Sequence, residues 1–179
     1  MVYPSSPHDA KGLLLAALTD PNPVLFFEHK ALYRSLTEEI PENYYECPIG
    51  QAKLIQEGSD VSIITYGMGV IWAREFLAEN PEIKADLLDL RSLLPWDQNA
   101  VGTTVQKTGR VLILHEDCQT GGIGGEIAAW ISERCFQHLD APVYRLGSLD
   151  TAVPFSSNLE DNFLPKGRLK GKMTELLAF

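Results

Sequence analysis

Apolar runs alternate with helix-period segments along most of the chain. Ser6-Pro7-His8-Asp9 predicts a helix start. A capping serine precedes a proline suited to the first helical position, and an acid sits where a capping box places one. The helix is expected over 11–18, with Leu14, Leu15 and Leu18 on one face. Asp20-Pro21-Asn22-Pro23 stops it, because proline removes a donor and biases the residue before it away from helix. Val24-Leu25-Phe26-Phe27-Glu28 follows as a continuous apolar run, the pattern of a strand covered on both faces.

The pattern then breaks down. Thr37-Glu38-Glu39-Ile40-Pro41-Glu42-Asn43 is acidic and turn-rich, and Cys47-Pro48-Ile49-Gly50 adds further breakers. This reads as an interdomain linker, dividing the chain into an N-terminal fragment (1–34), a linker (35–50) and a domain (51–179). In the last part, strands are predicted over 61–65, 85–90, 110–114 and 143–146. Helices are predicted over 70–79, 97–108, 122–139 and 166–178, the last with Leu169, Met173, Leu176 and Leu177 inward. Strands alternating with helices of this length imply crossover units and a largely parallel sheet, an α/β fold.

Composition narrows the function classes. With 179 residues, 45% hydrophobic and 22% charged, the chain is ordinary for a globular protein that needs no disulfide or metal staple. A formal net charge of −9 argues against nucleic-acid or anionic-membrane partners and suits a basic protein partner. Cys47, Cys118 and Cys135 form no C-x-x-C pair, so a zinc knuckle or secreted framework is not expected and a cytoplasmic location is. No basic, apolar leader opens the chain and no run reaches the ~20 residues of a membrane span. The abrupt start in a helix pattern suggests an excised domain.

Each chemical motif has a plainer alternative. Gly67-Met68-Gly69 sits where a dinucleotide fingerprint would, but Trp72 holds the place of its third glycine, which favours a tight strand-to-helix turn. Gly121-Gly122-Ile123-Gly124-Gly125 opens a helix whose amides could hold an anion, yet no phosphate-loop lysine follows; close packing in the fold or at a subunit interface is the alternative. His115-Glu116-Asp117 and Glu28-His29 end strands, where ligands gather in open α/β sheets. Adjacent residues on a strand end point in different directions, so the former cannot all ligate one metal. No G-x-S-x-G elbow appears.

Taken in order, several segments resemble one family. They are Tyr3-Pro4-Ser5-Ser6-Pro7-His8-Asp9-Ala10-Lys11-Gly12-Leu13-Leu14, Phe26-Phe27-Glu28-His29-Lys30-Ala31-Leu32-Tyr33-Arg34, Asp89-Leu90-Arg91-Ser92-Leu93-Leu94-Pro95-Trp96-Asp97, Lys107-Thr108-Gly109-Arg110, Thr120-Gly121-Gly122 and Asp150-Thr151-Ala152-Val153-Pro154-Phe155. The set is similar to the β chain of thiamine-diphosphate-dependent 2-oxo acid dehydrogenases, with Pro95-Trp96-Asp97 and His115-Glu116 closer to branched-chain members. The resemblance implies a three-layer transketolase C-terminal-like domain with a mostly parallel sheet, preceded by the tail of a pyrimidine-binding domain over 1–34. It implies thiamine diphosphate and magnesium in the full enzyme, with none expected on this chain because the family's catalytic residues lie upstream or in the α chain. The implied partners are the remaining α and β chains, a second copy, and the dihydrolipoyl acyltransferase core. Glu28, His29, His115, Glu116, Gly121, Gly122 and Phe179 are the candidate interface residues.

Overall fold

A computed structural model describes residues 1–179. Helix α1 (Pro7–Thr19) starts as predicted, with the Ser6 hydroxyl accepting from the Asp9 amide. A single turn, α2 (Leu32–Ser35), follows, then an irregular stretch to β1 (Lys53–Gln56). The domain continues with β2 (Val61–Thr65), α3 (Met68–Glu79), β3 (Ala85–Asp89), α4 (Gln98–Thr108), β4 (Val111–Cys118), α5 (Gly124–Arg134) and β5 (Tyr144–Ser148). Helices α6 (Ser157–Phe163) and α7 (Leu169–Leu177) close it.

The strands form one sheet in the order β1-β3-β2-β4-β5. β2, β3, β4 and β5 are parallel neighbours, and β1 is antiparallel to β3 at one edge. Strand alternation sends neighbouring residues to opposite faces. Ile63, Leu87, Leu112 and Leu114 pack with Trp72, Phe76 and Leu77 of α3 and with Leu169, Met173 and Leu176 of α7. Ile64, Leu88 and Ile113 pack with Val101 and Val105 of α4 and Ile127 and Ile131 of α5. The result is the expected three-layer α/β arrangement.

Gly67 takes a positive φ of 54° at the start of α3, and a Cβ there would lie 2.5 Å from the Tyr3 ring. The glycine therefore serves a tight turn, while Trp72 is buried in the core beneath. The C-cap of α4 is Gly109 in the left-handed conformation, a standard helix stop.

Several expectations need correction. The run 24–28 is not a doubly covered strand: only Phe26 bridges, to Val2, and Leu25 is 58% exposed. Helix α1 turns Gly12, Leu13 and Ala16 inward and leaves Leu14 and Leu18 exposed, Leu18 by 73%. In both places the local apolar pattern has more hydrophobic surface than this chain covers. The predicted helix over 122–139 is α5 followed by a 3₁₀ turn at Phe136–His138. Strand β1 and helix α6 were not foreseen. β1 is short and alternates poorly, and Ser157-Asn158-Leu159-Glu160-Asp161 reads as loop on composition.

Candidate functional site

The structure joins two of the candidate interface residues across 87 positions. His29 follows the bridged segment and Glu116 lies near the end of β4, and their side chains meet with Nε2 to Oε2 at 2.8 Å. Glu28 is exposed beside them. His115 behaves differently. It is fully buried, so it offers no surface of its own. Its Nδ1 lies 3.0 Å from the Asp117 carbonyl, which fits Nδ1–H as the donor. Three glycines enclose its ring: a Cβ on Gly122, Gly124 or Gly147 would come within 2.8, 2.5 or 2.7 Å of it. Burial holds the imidazole below its ordinary pKa, against the opposing pull of Asp117. A neutral, enclosed histidine that fixes the start of α5 fits this geometry better than a catalytic one. Gly122 is thus a packing glycine, while Gly121 is exposed at a positive φ of 83°. Phe179 lies apart from these residues, its ring edge-on to Tyr144 at 6.3 Å.

A second cluster was not read as a site from the sequence. It fixes residues 1–52 to the sheet. Asp9 on α1 receives Arg91 Nη1 at 3.2 Å and Lys53 Nζ at 3.3 Å. The same guanidinium donates to the Gln51 carbonyl through Nε at 3.1 Å and Nη2 at 2.9 Å. Arg91 itself has φ 54°, an uncommon conformation for a side-chain-bearing residue. Its amide donates to Asp89 Oδ1 at 3.0 Å, and the Ser5 hydroxyl donates to the other oxygen of Asp89. The two carboxylates, Asp9 on the Arg91 guanidinium and Asp89 on the Arg91 backbone amide, thus meet different environments. Burial would raise Asp9, but Lys53, Ser6 and Arg91 outweigh it and hold it below the usual carboxylate range. Asp89 has weaker compensation, and burial pushes it up to about 7. The sequence signal was Asp89-Leu90-Arg91, visible as a motif, but nothing local shows that its partner is 82 residues away.

Two places come nearest to a magnesium or diphosphate site. His8, Asp9 and Cys47 bring three donor atoms within 4.8 Å of one another. Magnesium prefers oxygen ligands in an octahedron, and the carboxylate here is already held by two cations. In the glycine turn, Gly122 and Gly124 are packed against the His115 ring rather than open as an anion cradle. Neither place fits the group.

A cavity of about 680 Å³ is lined by Ala128, Phe136, Asp140, Val143 and Phe179, among others, and Phe136 is 75% exposed. No helix is long and apolar enough to cross a membrane.

Comparison with known proteins agrees with this architecture. The chain is 48% identical over 167 residues to 2-oxoisovalerate dehydrogenase subunit beta 2, mitochondrial, of Arabidopsis thaliana, covering 92% of this chain and 46% of that protein. It is 43% identical over 183 residues to 2-oxoisovalerate dehydrogenase subunit beta of Bacillus subtilis, covering 100% of this chain and 56% of the relative. The acetoin:2,6-dichlorophenolindophenol oxidoreductase subunit beta of the same bacterium is 45% identical over 166 residues, covering 92% and 48%. The chain spans about half the length of these curated relatives. A solved structure described as a split gene transketolase, inactive beta4 tetramer, superposes with a TM-score of 0.77 at 23% identity, covering 99% of this chain and 56% of that one. That likeness shows the fold. The family described as transketolase, C-terminal domain, matches residues 50–168, from the end of the irregular stretch through all five strands, and the chain belongs to this family.

Proposed function

We propose that the chain is the assembly part of the decarboxylase component of a 2-oxo acid dehydrogenase acting on branched-chain substrates of the 2-oxoisovalerate type. The observation that carries this reading is the 48% identity over 92% of the chain to a 2-oxoisovalerate dehydrogenase β subunit. In the full protein, a 2-oxo acid would be decarboxylated on thiamine diphosphate and its acyl group passed to a lipoyl arm. Residues elsewhere would hold the thiamine diphosphate and magnesium. This chain's part is to pair with the remaining α and β chains and to dock the acyltransferase core. Residues 1–34 are read as the tail of a pyrimidine-binding domain, 35–50 as a linker and 51–179 as the transketolase C-terminal domain.

Three features support the assembly role. The outer face of α1 and the segment 24–28 leave apolar side chains uncovered. Glu28, His29, Glu116 and Gly121 are the interface candidates that reach the surface, with His115 and Gly122 shaping the backbone behind them. Phe179 lies at an apolar cavity bordered by Asp140, so an acid and an aromatic side chain there can meet a basic docking domain. Complementary charge of this kind speeds encounter and is screened by salt. The cytoplasm, or another reducing compartment, suits three free cysteines; the Arabidopsis and Dictyostelium relatives are described as mitochondrial.

A second reading, a pyruvate or acetoin dehydrogenase β chain, is favoured by the 45% identity to the acetoin relative. A stand-alone, non-catalytic module of the same fold is the third. Steady-state assays of the assembled parent protein separate them. The expected result is a kcat/KM at least tenfold higher for 3-methyl-2-oxobutanoate than for pyruvate or acetoin. A preference for either of the others moves the assignment to the second reading, and no turnover of any moves it to the third. Calorimetric titration of the 179-residue chain with thiamine diphosphate and magnesium should show no binding; micromolar affinity would overturn the placement of the cofactor elsewhere.

A further inference from the structure

In an open parallel sheet, ligands gather beyond the carboxyl ends of the strands, where successive connections leave in opposite directions. Here the chain passes from β2 to β3 on one side, then crosses to β4 on the other, so that point lies between β2 and β4. A cavity of about 410 Å³ sits there, lined on one side by Tyr66, which follows β2, and on another by Glu116, Asp117 and Cys118 of β4. The volume is that of a small-molecule site.

Its walls combine two kinds of group. Tyr3, Tyr66 and Phe27 form a continuous aromatic surface, Tyr3 stacking on Phe27 at 6.0 Å and tilting against Tyr66 at 5.5 Å. Glu116 and Asp117 supply negative charge, and neither meets a lysine or an arginine. Glu116 pairs with His29, while Asp117 is exposed and accepts only the Cys118 amide at 2.8 Å. The phenols report the same field. Burial, followed by the charge of Glu116, pushes Tyr3 up to about 12. Tyr66 is raised by burial and then by Asp117, Tyr3 and Glu116.

We propose that this crevice binds an organic cation, a guanidinium, amidinium or alkylammonium group on a compact apolar body. Aromatic faces attract such cations through their quadrupoles, and carboxylates that meet no lysine or arginine, beside a low-dielectric wall, focus the field on the same spot. An anion of the same shape meets repulsion from both carboxylates. A neutral ligand keeps the apolar contact and loses the charge term. The inference does not depend on which 2-oxo acid the full protein uses.

The test titrates the isotopically labelled 179-residue chain with benzamidinium, benzamide and benzoate, and follows backbone amide shifts by NMR. Benzamidinium should saturate with a dissociation constant of about 1 mM, the range open to so small a ligand. The shifts should centre on residues 66 and 116–118. Benzoate should bind at least tenfold more weakly, with benzamide between. Asp117→Asn keeps the oxygen that accepts the Cys118 amide and should weaken benzamidinium about fivefold. Phe27→Ala, at the exposed rim, should weaken it independently and serves if the first variant fails to fold. Equal binding of benzoate, unsaturable shifts, or indifference to whichever variant folds would overturn the proposal.

Discussion

The five-stranded domain and the N-terminal segment are held in opposite ways. The domain buries a continuous apolar layer on each face of its sheet. One inner polar cluster is satisfied within the domain: Asp86 accepts Thr104 at 2.7 Å and Lys107 at 2.8 Å, and Ser62 bonds Thr104 and Thr108 at 2.7 Å each. The N-terminal segment has only a small core of its own, Val2, Leu13 and Cys47. It is attached by directional, charged contacts centred on Arg91. The difference teaches that one part is held by its own apolar layers, while the other is positioned by a clasp and keeps apolar surface free.

The sharpest way to break this comparison is to cut the core. Leu112→Ala should cost about 3–4 kcal/mol, because Leu112 is fully buried at the centre of the sheet and the layers cannot close over the void. Chemical denaturation should show the loss globally. Arg91→Ala should cost about 3 kcal/mol by leaving Asp9 buried beside an incomplete set of partners. That loss should be local. Hydrogen exchange should accelerate in α1 while the amides of β2 and β4 keep their protection. Uniform acceleration would mean that the clasp and the core are one unit.

The protonation of Asp89 refines the point. Its folded pKa of about 7 lies above the ordinary carboxylate value, so the folded state holds a proton that the unfolded state has released. The stabilisation is therefore complete at acid pH and is lost as pH rises towards 7, flattening above it. Between pH 5 and 8 the expected fall is on the order of 2 kcal/mol. Asp89→Asn should remove this slope, read from denaturation midpoints across the range. Asp9 and Asp86 are shifted the other way; their contributions are present at neutral pH and are lost only at strongly acid pH.

Two smaller changes test the free surfaces. Gly171 lies within α7, and an added Cβ would meet nothing within 4 Å. Gly171→Ala should stabilise the chain by about 0.5–1 kcal/mol through helix propensity. If instead it impairs assembly of the parent complex, the glycine serves a close partner. Leu18→Ser should change the stability of the isolated chain by less than about 0.5 kcal/mol, since the side chain is largely exposed. Sedimentation of the parent assembly should show the larger effect.

Much of the domain was legible in the sequence. The buried runs at 61–65, 85–90 and 110–114, the Asp97 cap and the Gly109 stop are local signals, because each is decided by hydrogen bonds and burial within a few residues. The inward set Leu169, Met173 and Leu176 was legible for the same reason. Other features were decided only by the tertiary structure. An outward leucine and an inward one look alike until it is known which face has a partner, so the shared face of Leu14, Leu15 and Leu18 did not show that Leu14 and Leu18 would be exposed. The glycines at 122 and 124 were seen as close-packing residues, but their object, the His115 ring, became visible only in space. The Arg91 clasp and the His29–Glu116 pair join residues more than 80 positions apart. Pairing at that distance is set by how the layers stack, and one sequence carries no local trace of it.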